Sequence, residues 1–187
     1  MADLDLQTAV MNDAIYWRGL FIQRYSGIEF ALTDLLVRAR HSPAYNVFGD
    51  LPRFHAGKLK RLKELINAPG PLQAFADTIA PMLATFQNLE DTRHFIAHGV
   101  MVTPRRASDP RQLCFSMYRH KDGAVHQGLF SLTLAEFIAL GESIAPTSRK
   151  FTELVGRIVR DVPLPQRLSD EDMDRVRQAA AGPHRQG

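Results

Sequence analysis

Apolar residues recur at three- and four-residue steps through the first forty positions of the chain. This spacing predicts a long amphipathic helix over about residues 6–40, because positions so spaced share one helical face. The apolar stripe consists of Trp17, Phe21, Tyr25, Ile28, Leu32 and Leu35. The run His41-Ser42-Pro43 ends the helix, since a residue before proline disfavours the helical conformation.

A second, shorter helix is predicted over about residues 52–67, with Asp50 as its N-terminal cap and Pro52 in its first turn. Its apolar side is formed by His55, Leu59, Leu62 and Ile66. The rest of this helix is basic, as is a loop near residue 105, and both are weak candidates for contact with an RNA backbone. The residues in question are Lys58, Arg61, Arg105 and Arg106. A cluster of charges is more often simply a solvated surface.

From Val100 the period of the apolar positions changes from helical to alternating, which is typical of strands. The alternating residues are Val100 and Val102, followed by Leu113, Phe115 and Met117. The sequence Lys121-Asp122-Gly123-Ala124 favours a tight hairpin turn, and a return strand follows it to Leu132. A small antiparallel sheet is therefore predicted over about residues 100–132.

The last long helix begins at a capping box, in which Thr133 is followed three residues later by Glu136. Its apolar positions are Phe137, Ile144, Phe151, Leu154 and Ile158. The helix extends to about Asp161, and Pro146 is expected to kink it or to split it in two.

These elements predict a mainly α fold, a bundle of four or five helices with a small inserted antiparallel hairpin or three-stranded sheet. Residues 1–162 are expected to form one domain, with the β insertion at about residues 100–132. Residues 163–187 form a polar tail, in which we expect a short helix over 169–181 and disorder over 182–187.

Composition narrows the class of protein only slightly. The formal net charge of +3 permits an RNA partner but does not require one. The single cysteine, Cys114, excludes an intrachain disulfide and favours a reducing compartment. No stretch is apolar enough to span a membrane, and the N-terminal residues do not resemble a signal peptide. We therefore expect a cytoplasmic protein with no membrane partner and no cofactor.

The third predicted helix begins at Pro71 and runs without interruption to about His98, where Gly99 is expected to end it in the left-handed conformation. Its inward stripe is Phe75, Ile79, Met82, Phe86 and Leu89. The next two positions on the same face are Arg93 and Ile96. Arg93 therefore lies where an apolar residue is expected.

A guanidinium on a core face is costly unless a carboxylate pairs with it or a polar cavity receives it. The sequence offers Glu90 and Glu29 as supporting partners. One interpretation is purely structural: Arg93 reaches the end of the bundle and pairs with Glu90. The other is that Arg93 belongs to a functional site.

His94 and His98 are four residues apart and share one helical side, with Glu90 one turn earlier. Two imidazoles and a carboxylate on one face could hold a divalent metal, although the pattern lacks a fourth ligand and a known signature. Alternatively, His98 merely helps to close the helix, whose negative end favours a cation.

The segment Arg93-His94-Phe95-Ile96-Ala97-His98-Gly99 resembles the motif of the HEPN superfamily, an arginine followed by a polar residue and, after four to six residues, a histidine. The polar residue here is His94, where that family most often has asparagine. The resemblance extends over about residues 10–160. The bare spacing also occurs at Arg119 with His126 and at Arg177 with His184, but only the first pair lies in an amphipathic helix.

The resemblance implies a two-fold homodimer whose motif helices face each other across the axis. It further implies a metal-independent endoribonuclease in toxin–antitoxin, abortive-infection or RNA-processing systems, with RNA as substrate and an antitoxin or another protein as partner. Arg93, His94 and His98 would be the catalytic residues, because histidine changes charge near neutral pH and arginine binds phosphate. Two alternatives remain open: a non-catalytic dimerisation or partner-binding module on the same scaffold, and a metal-binding helical protein.

Overall fold

The structure is a computed structural model that describes residues 2–48, 50–103, 111–121, 123–162 and 164. These residues form a mainly helical fold with a small inserted three-stranded antiparallel sheet, which confirms the predicted fold class. The α-helices are α1 (Ala2–Arg40), α2 (His55–Asn67), α3 (Ala76–Asn88), α4 (Glu90–His98) and α5 (Leu134–Asp161). The strands are β1 (Val100–Val102), β2 (Gln112–Lys121) and β3 (Ala124–Thr133), and two 3-10 helices cover Pro43–Phe48 and Gln73–Phe75. Among the described residues, no helix combines the length and the apolar character needed to cross a membrane.

The chain divides into two compact units. The first, here called the sheet unit, comprises Met1–Gly27 and Asn88–Arg149. The second, the helical unit, comprises Ile28–Gln87 and Lys150–Gly187. α1 and α5 each contribute residues to both units.

The strands of the sheet unit lie in the order β1-β2-β3. β2 and β3 meet at the predicted tight turn, where Gly123 has a φ of 77°, a left-handed value that favours glycine. Leu113 and Phe115 on the inner side of β2 are fully buried. Phe95 of α4 stacks on Phe130 of β3 with 5.7 Å between ring centroids. This ring contact holds α4 against the sheet.

The helical unit has a core of aliphatic and aromatic side chains, and the predicted stripes supply most of it. Phe86 of α3 meets Phe151 of α5 edge to face, with 5.2 Å between ring centroids. The other predicted positions that are buried in this unit are Ile28, Leu32, Leu35, His55, Leu59, Leu62, Ile66, Ile79, Leu154 and Ile158. The helical periodicity therefore identified the buried faces of α2 and α5, whereas Phe75 and Met82 of the third predicted stripe are only half-buried.

The predicted capping box at the start of α5 is present. The Thr133 N–H donates to Glu136 Oε2 at 2.7 Å, and the Glu136 N–H donates to Thr133 Oγ1 at 3.2 Å. The Thr133 N–H and the Thr133 hydroxyl, which donates to Glu136 Oε2 at 2.9 Å, together hold the pKa of the Glu136 carboxyl below its ordinary value. α5 continues past Pro146, so the expected split is wrong. The proline is exposed, and its ring and missing N–H therefore face solvent.

The third predicted helix, over residues 71–98, is wrong in three respects. It begins at Ala76, after the 3-10 helix Gln73–Phe75, and not at Pro71. It is interrupted at Leu89, a turn residue between α3 and α4, although Leu89 O still accepts a hydrogen bond from the Arg93 N–H at 2.7 Å. Gly99 is extended, with φ −73° and ψ 148°, and not left-handed. Glycine is required here for space, because a Cβ would lie 2.5 Å from Phe95 O.

The second predicted helix starts later than expected. α2 begins at His55, and its N-terminal cap is Phe54, which makes no side-chain capping hydrogen bond. Asp50 does not cap the helix; its carboxylate lies 3.2 Å from the guanidinium of Arg40. The predicted tail helix over 169–181 lies outside the described residues.

Candidate functional site

The candidate site is built on α4, a helix of nine residues in the sheet unit. Its last carbonyl groups lack partners within the helix, as at every helix C-terminus. Arg18 of α1 provides a hydrogen-bond donor at this end of the helix: its Nη2 donates to Ala97 O at 3.2 Å and to Gly99 O at 3.0 Å. The guanidinium therefore places a positive charge at the negative end of α4, beside His98.

Arg93 is held in place by two neighbours. Its Nη2 lies 3.4 Å from Glu90 Oε1, which is the predicted pair, and its guanidinium lies over the Tyr25 ring at 5.3 Å from the centroid. The Tyr25 hydroxyl in turn donates to Glu90 Oε2 at 3.4 Å. The side chain of Arg93 is only 14% exposed. Arg93 on the core face of α4 thus takes part in a compact group of three side chains.

His94 and His98 lie on adjacent turns of α4, and their rings meet edge to face with centroids 5.0 Å apart. His98 is exposed, whereas His94 is half-buried. Burial is the largest cause that lowers the pKa of His94 below its ordinary value of 6.5. The charges of His98, Arg119 and Arg93 lower this pKa further, and Asp91 opposes them. The His94 ring is therefore neutral at pH 7 and can accept a proton.

Arg119 approaches α4 from the inner side of β2. Its guanidinium lies over the Phe95 ring at 4.3 Å from the centroid, and its Nη1 lies 3.3 Å from Asp91 Oδ1. Its Nε and Nη2 are buried and have no hydrogen-bond partner within the described residues. The ring contact therefore supplies the main stabilisation of the buried part of the guanidinium.

An open pocket of about 390 Å³ lies between α4 and β2. It is lined by Glu90, Asp91, His94, Tyr118 and Arg119. Each carboxylate in it is paired with an arginine, so the pocket combines balanced charges with one neutral imidazole. The Asp91 side chain is 88% exposed, and an exposed ion pair of this kind contributes only about 0–1 kcal/mol. An incoming anion can therefore replace Asp91 at Arg119 Nη1 at little cost.

Three of the other predicted site residues, Glu29, Lys58 and Arg61, belong to the helical unit. The carboxylate of Glu29 lies 3.6 Å from His55 Nδ1. In the same unit, Lys58 Nζ donates to Thr33 Oγ1 at 3.0 Å, and Arg61 lies 3.1 Å from Glu64. The remaining two predicted residues, Arg105 and Arg106, lie outside the described residues. Lys58 and Arg61 therefore do not flank the pocket within the sheet unit.

The metal-binding alternative receives no support from the arrangement of side chains. In the part of the chain that the structure describes, no group of three His, Cys, Asp or Glu residues is placed to hold a metal ion. The carboxylate of Glu90, the third ligand in that alternative, contacts Arg93 and Tyr25.

Sequence reasoning missed Arg18 and Arg119, although a signal for each is present. Arg18 lies on the stripe that continues through Phe21 and Tyr25, so it is an arginine on an apolar face, as Arg93 is. Arg119 is the next inward position after Leu113, Phe115 and Met117 along β2. Extending both apolar patterns by one step would have identified these two residues.

The arrangement offers a neutral imidazole that can take up a proton, an exposed imidazole that can supply one, and a guanidinium at the edge of a pocket. No family model matches the chain, and comparisons with curated proteins and with solved structures found no similar protein.

Proposed function

We propose that this chain is a metal-independent endoribonuclease that acts as a cytoplasmic homodimer and cleaves RNA at His94 and His98. The observation that carries the proposal is the pair of imidazoles 5.0 Å apart, one held neutral and one exposed, beside Arg119. The resemblance of residues 93–99 to the HEPN motif supports the same reaction class. That resemblance also suggests a toxin or defence role with an antitoxin as partner.

In the proposed reaction, neutral His94 accepts the proton of a ribose 2′-hydroxyl as the 2′-oxygen attacks the adjacent phosphorus. The bond between phosphorus and the 5′-oxygen breaks, and protonated His98 donates a proton to that leaving oxygen. The products are a 2′,3′-cyclic phosphate and a 5′-hydroxyl. Arg119 Nη1 binds a non-bridging phosphate oxygen after Asp91 has moved away.

This assignment gives the motif arginine a different role from the one that the resemblance implies. Arg93 is already engaged by Glu90 and Tyr25, so we assign it to the support of α4. Arg119, on β2, is assigned to the phosphate. Arg18 offsets the negative end of α4, which would otherwise repel a phosphate at His98.

The proposal is tested with single-stranded RNA in a buffer containing EDTA. We expect cleavage to 2′,3′-cyclic phosphate ends, loss of cleavage in His98→Ala and His94→Gln, and no cleavage of an all-deoxy substrate. His41→Ala is the matched control, because His41 is an exposed histidine of the helical unit, and it should retain full activity. Cleavage that survives His98→Ala would contradict the assignment.

The pH profile tests the role of His94 separately. Because its pKa is lowered, the acid limb of the rate should lie below pH 6.5. Arg119→Met removes one of the neighbouring positive charges, so the acid limb should move to higher pH. The rate itself should also fall. A limb that stays in place would show that His94 is not the base.

The second candidate function is a non-catalytic dimerisation or partner-binding module. The observation that favours it is the engagement of Arg93 by Glu90, which leaves the motif arginine 14% exposed. A well-folded, pure protein that cleaves none of a set of RNAs of varied sequence would favour this candidate over the ribonuclease.

A further inference from the structure

The sheet is apolar on both of its faces, although only the inner face packs against the rest of the sheet unit. Large apolar side chains project from the outer face and are exposed to solvent. They are Val100 (67% exposed), Val102 (43%), Tyr118 (71%), Val125 (57%) and Leu129 (65%), and we call them the outer patch. An antiparallel sheet with one solvated face normally alternates apolar inward and polar outward residues. The outer patch departs from that rule on all three strands.

The strand register places the residues of the outer patch on one face. Val100 lies opposite Ser116, and Ser116 lies opposite Leu129, so this row across the three strands has a polar residue at its centre. Tyr118 lies opposite Gln127, whose Nε2 donates to Ser116 Oγ at 2.8 Å, and is diagonal to both Val125 and Leu129. Diagonal side chains in such a sheet are about 7–8 Å apart. Tyr118, Val125 and Leu129 therefore form an exposed apolar cluster, of the kind that marks an interaction site.

β3 is also an unprotected edge strand. It pairs with β2 on one side, and no other described strand pairs with its free side. Its ten residues include no Asp, Glu, Lys, Arg or Pro, the residues with which proteins usually block an exposed edge. Its free backbone N–H and C=O groups can therefore accept another strand.

We propose that β3 pairs antiparallel with β3 of a second copy of this chain, with the two-fold axis at Gln127. In this register Val125 lies opposite Leu129 of the second copy, and both belong to the outer patch. Gln127 meets its own counterpart, and an amide can both donate to and accept from an identical amide. The interface is thus complementary to itself, as a two-fold dimer requires.

The charges of the strand favour a second copy over an unrelated partner. A two-fold pairing places the strand beside an identical strand, so a charged strand would be repelled by the same charges on its copy. β3 has no such residue over its whole length. A charged partner segment would find no complementary charge on this edge.

The pairing joins two three-stranded sheets into one of six strands. Tyr118 of each copy, which lines the pocket, would then be separated from its counterpart by three interstrand spacings, roughly 14 Å. The pockets of the two copies would then both border the six-stranded sheet. This inference specifies the homodimer of the proposed function, but it rests on the sheet and on no catalytic step, and its tests read oligomeric state alone.

The register is tested by cysteine cross-linking in a Cys114→Ser background with copper phenanthroline as oxidant. Gln127→Cys should give an interchain disulfide, because residue 127 faces itself across the axis. Val125→Cys is the matched control. In this register residue 125 lies four residues along the strand from residue 125 of the second copy, about 14 Å away, so it should not cross-link alone. A mixture of Val125→Cys and Leu129→Cys should cross-link to each other. Equal cross-linking of Gln127→Cys and Val125→Cys would overturn the register.

Sedimentation velocity tests the interface itself. We expect the wild-type chain to be a dimer at tens of micromolar, and Leu129→Glu to raise its dissociation constant at least tenfold while the far-UV circular dichroism stays unchanged. Phe30→Glu is the control, because Phe30 is 75% exposed and lies in the helical unit, and it should remain dimeric. A monomeric wild type, or a dimer that persists in Leu129→Glu, overturns the proposal. RNA cleavage is measured separately: a monomeric wild type would also contradict the homodimer of the proposed function, but not its cleavage step. An axis at β3 differs from the one that the HEPN resemblance implies, in which the motif helices face each other.

Discussion

Substitution of Arg93 by methionine should destabilise the sheet unit by about 2 kcal/mol. A hydrogen bond to a charged group contributes about 1.5–3 kcal/mol, and a cation–π contact at a partly exposed site about 0.5–1 kcal/mol. The contact with Glu90 is long, at 3.4 Å, and Glu90 is 28% exposed, so the lower part of this range applies. Methionine retains most of the apolar stem that packs in the same place. A loss of about 2 kcal/mol corresponds to roughly a 30-fold change in the folding equilibrium.

Urea unfolding at 25 °C measures this loss. Trp17 is the only tryptophan of the chain and lies in the sheet unit, so its fluorescence reports that unit. Far-UV circular dichroism serves as a second probe, since two compact units need not unfold together. The change is taken from the midpoint and the slope of the Trp17 transition.

A double-mutant cycle with Glu90→Gln separates the ion pair from the ring contact. The coupling between Arg93 and Glu90 should account for about three-quarters of the loss, because Tyr25 continues to contact the guanidinium when Glu90 is neutralised. The control is Glu142→Gln, which removes an exposed charge from α5 in the same unit and should change stability by less than about 0.5 kcal/mol. If Arg93→Met lowers the unfolding free energy no more than Glu142→Gln does, Arg93 does not support α4. The argument that excludes Arg93 from the proposed phosphate contact is then refuted.

Three further predictions concern the supports of the site. Arg18→Met should lower the stability of the sheet unit by about 1–2 kcal/mol in the same urea assay, and Arg18→Lys should recover only part, since the shorter, flexible lysine loses more conformational freedom for each hydrogen bond that it forms. Thr133→Ala should cost about 1 kcal/mol, measured by thermal unfolding, because the capping box loses its hydroxyl; an unchanged melting temperature would exclude this role. The pKa of His94 is lower in the folded chain than in the unfolded chain, so the unfolded chain binds more protons and the unfolding free energy should fall as pH drops through 6.5. This fall should be smaller in His94→Gln. Equal pH dependence of the two proteins would count against the lowered pKa.

The sequence predicted the buried faces of the helices better than their ends. Apolar spacing identifies a face because stripe residues contribute to a shared core. The stripes of α2 and α5 are accordingly buried, as is that of α1 apart from the half-buried Trp17. The break at Leu89 is invisible to this signal, because the stripe passes through it to Ile96 without a change of period. Asp50 illustrates a second difficulty: one carboxylate can cap a helix or pair with Arg40, and the sequence does not decide between them.

The candidate site was predicted in part. The pair of histidines and the contact between Arg93 and Glu90 follow from positions three and four apart on one helix, and both are present. Arg18 and Arg119 reach α4 from a distant helix and from a strand, so their contacts depend on tertiary structure. Spacing along the chain contains no information on such contacts, and only the charge on an apolar face indicates them.

Because α4 is short, the arrangement of its two histidines depends on contacts with the rest of the folded chain. A helix of nine residues is too short to persist in water by itself, where helices below about 12–15 residues are marginal. Its C-terminal end is held by Arg18, about eighty positions earlier in the chain. The two imidazoles are therefore brought together only after a long-range contact has formed. Hydrogen exchange should show the amides of α4 opening as one cooperative segment, below the global unfolding free energy, and opening more readily once the arginine is removed. The paired arrangement of the two imidazoles is thus a property of the folded chain.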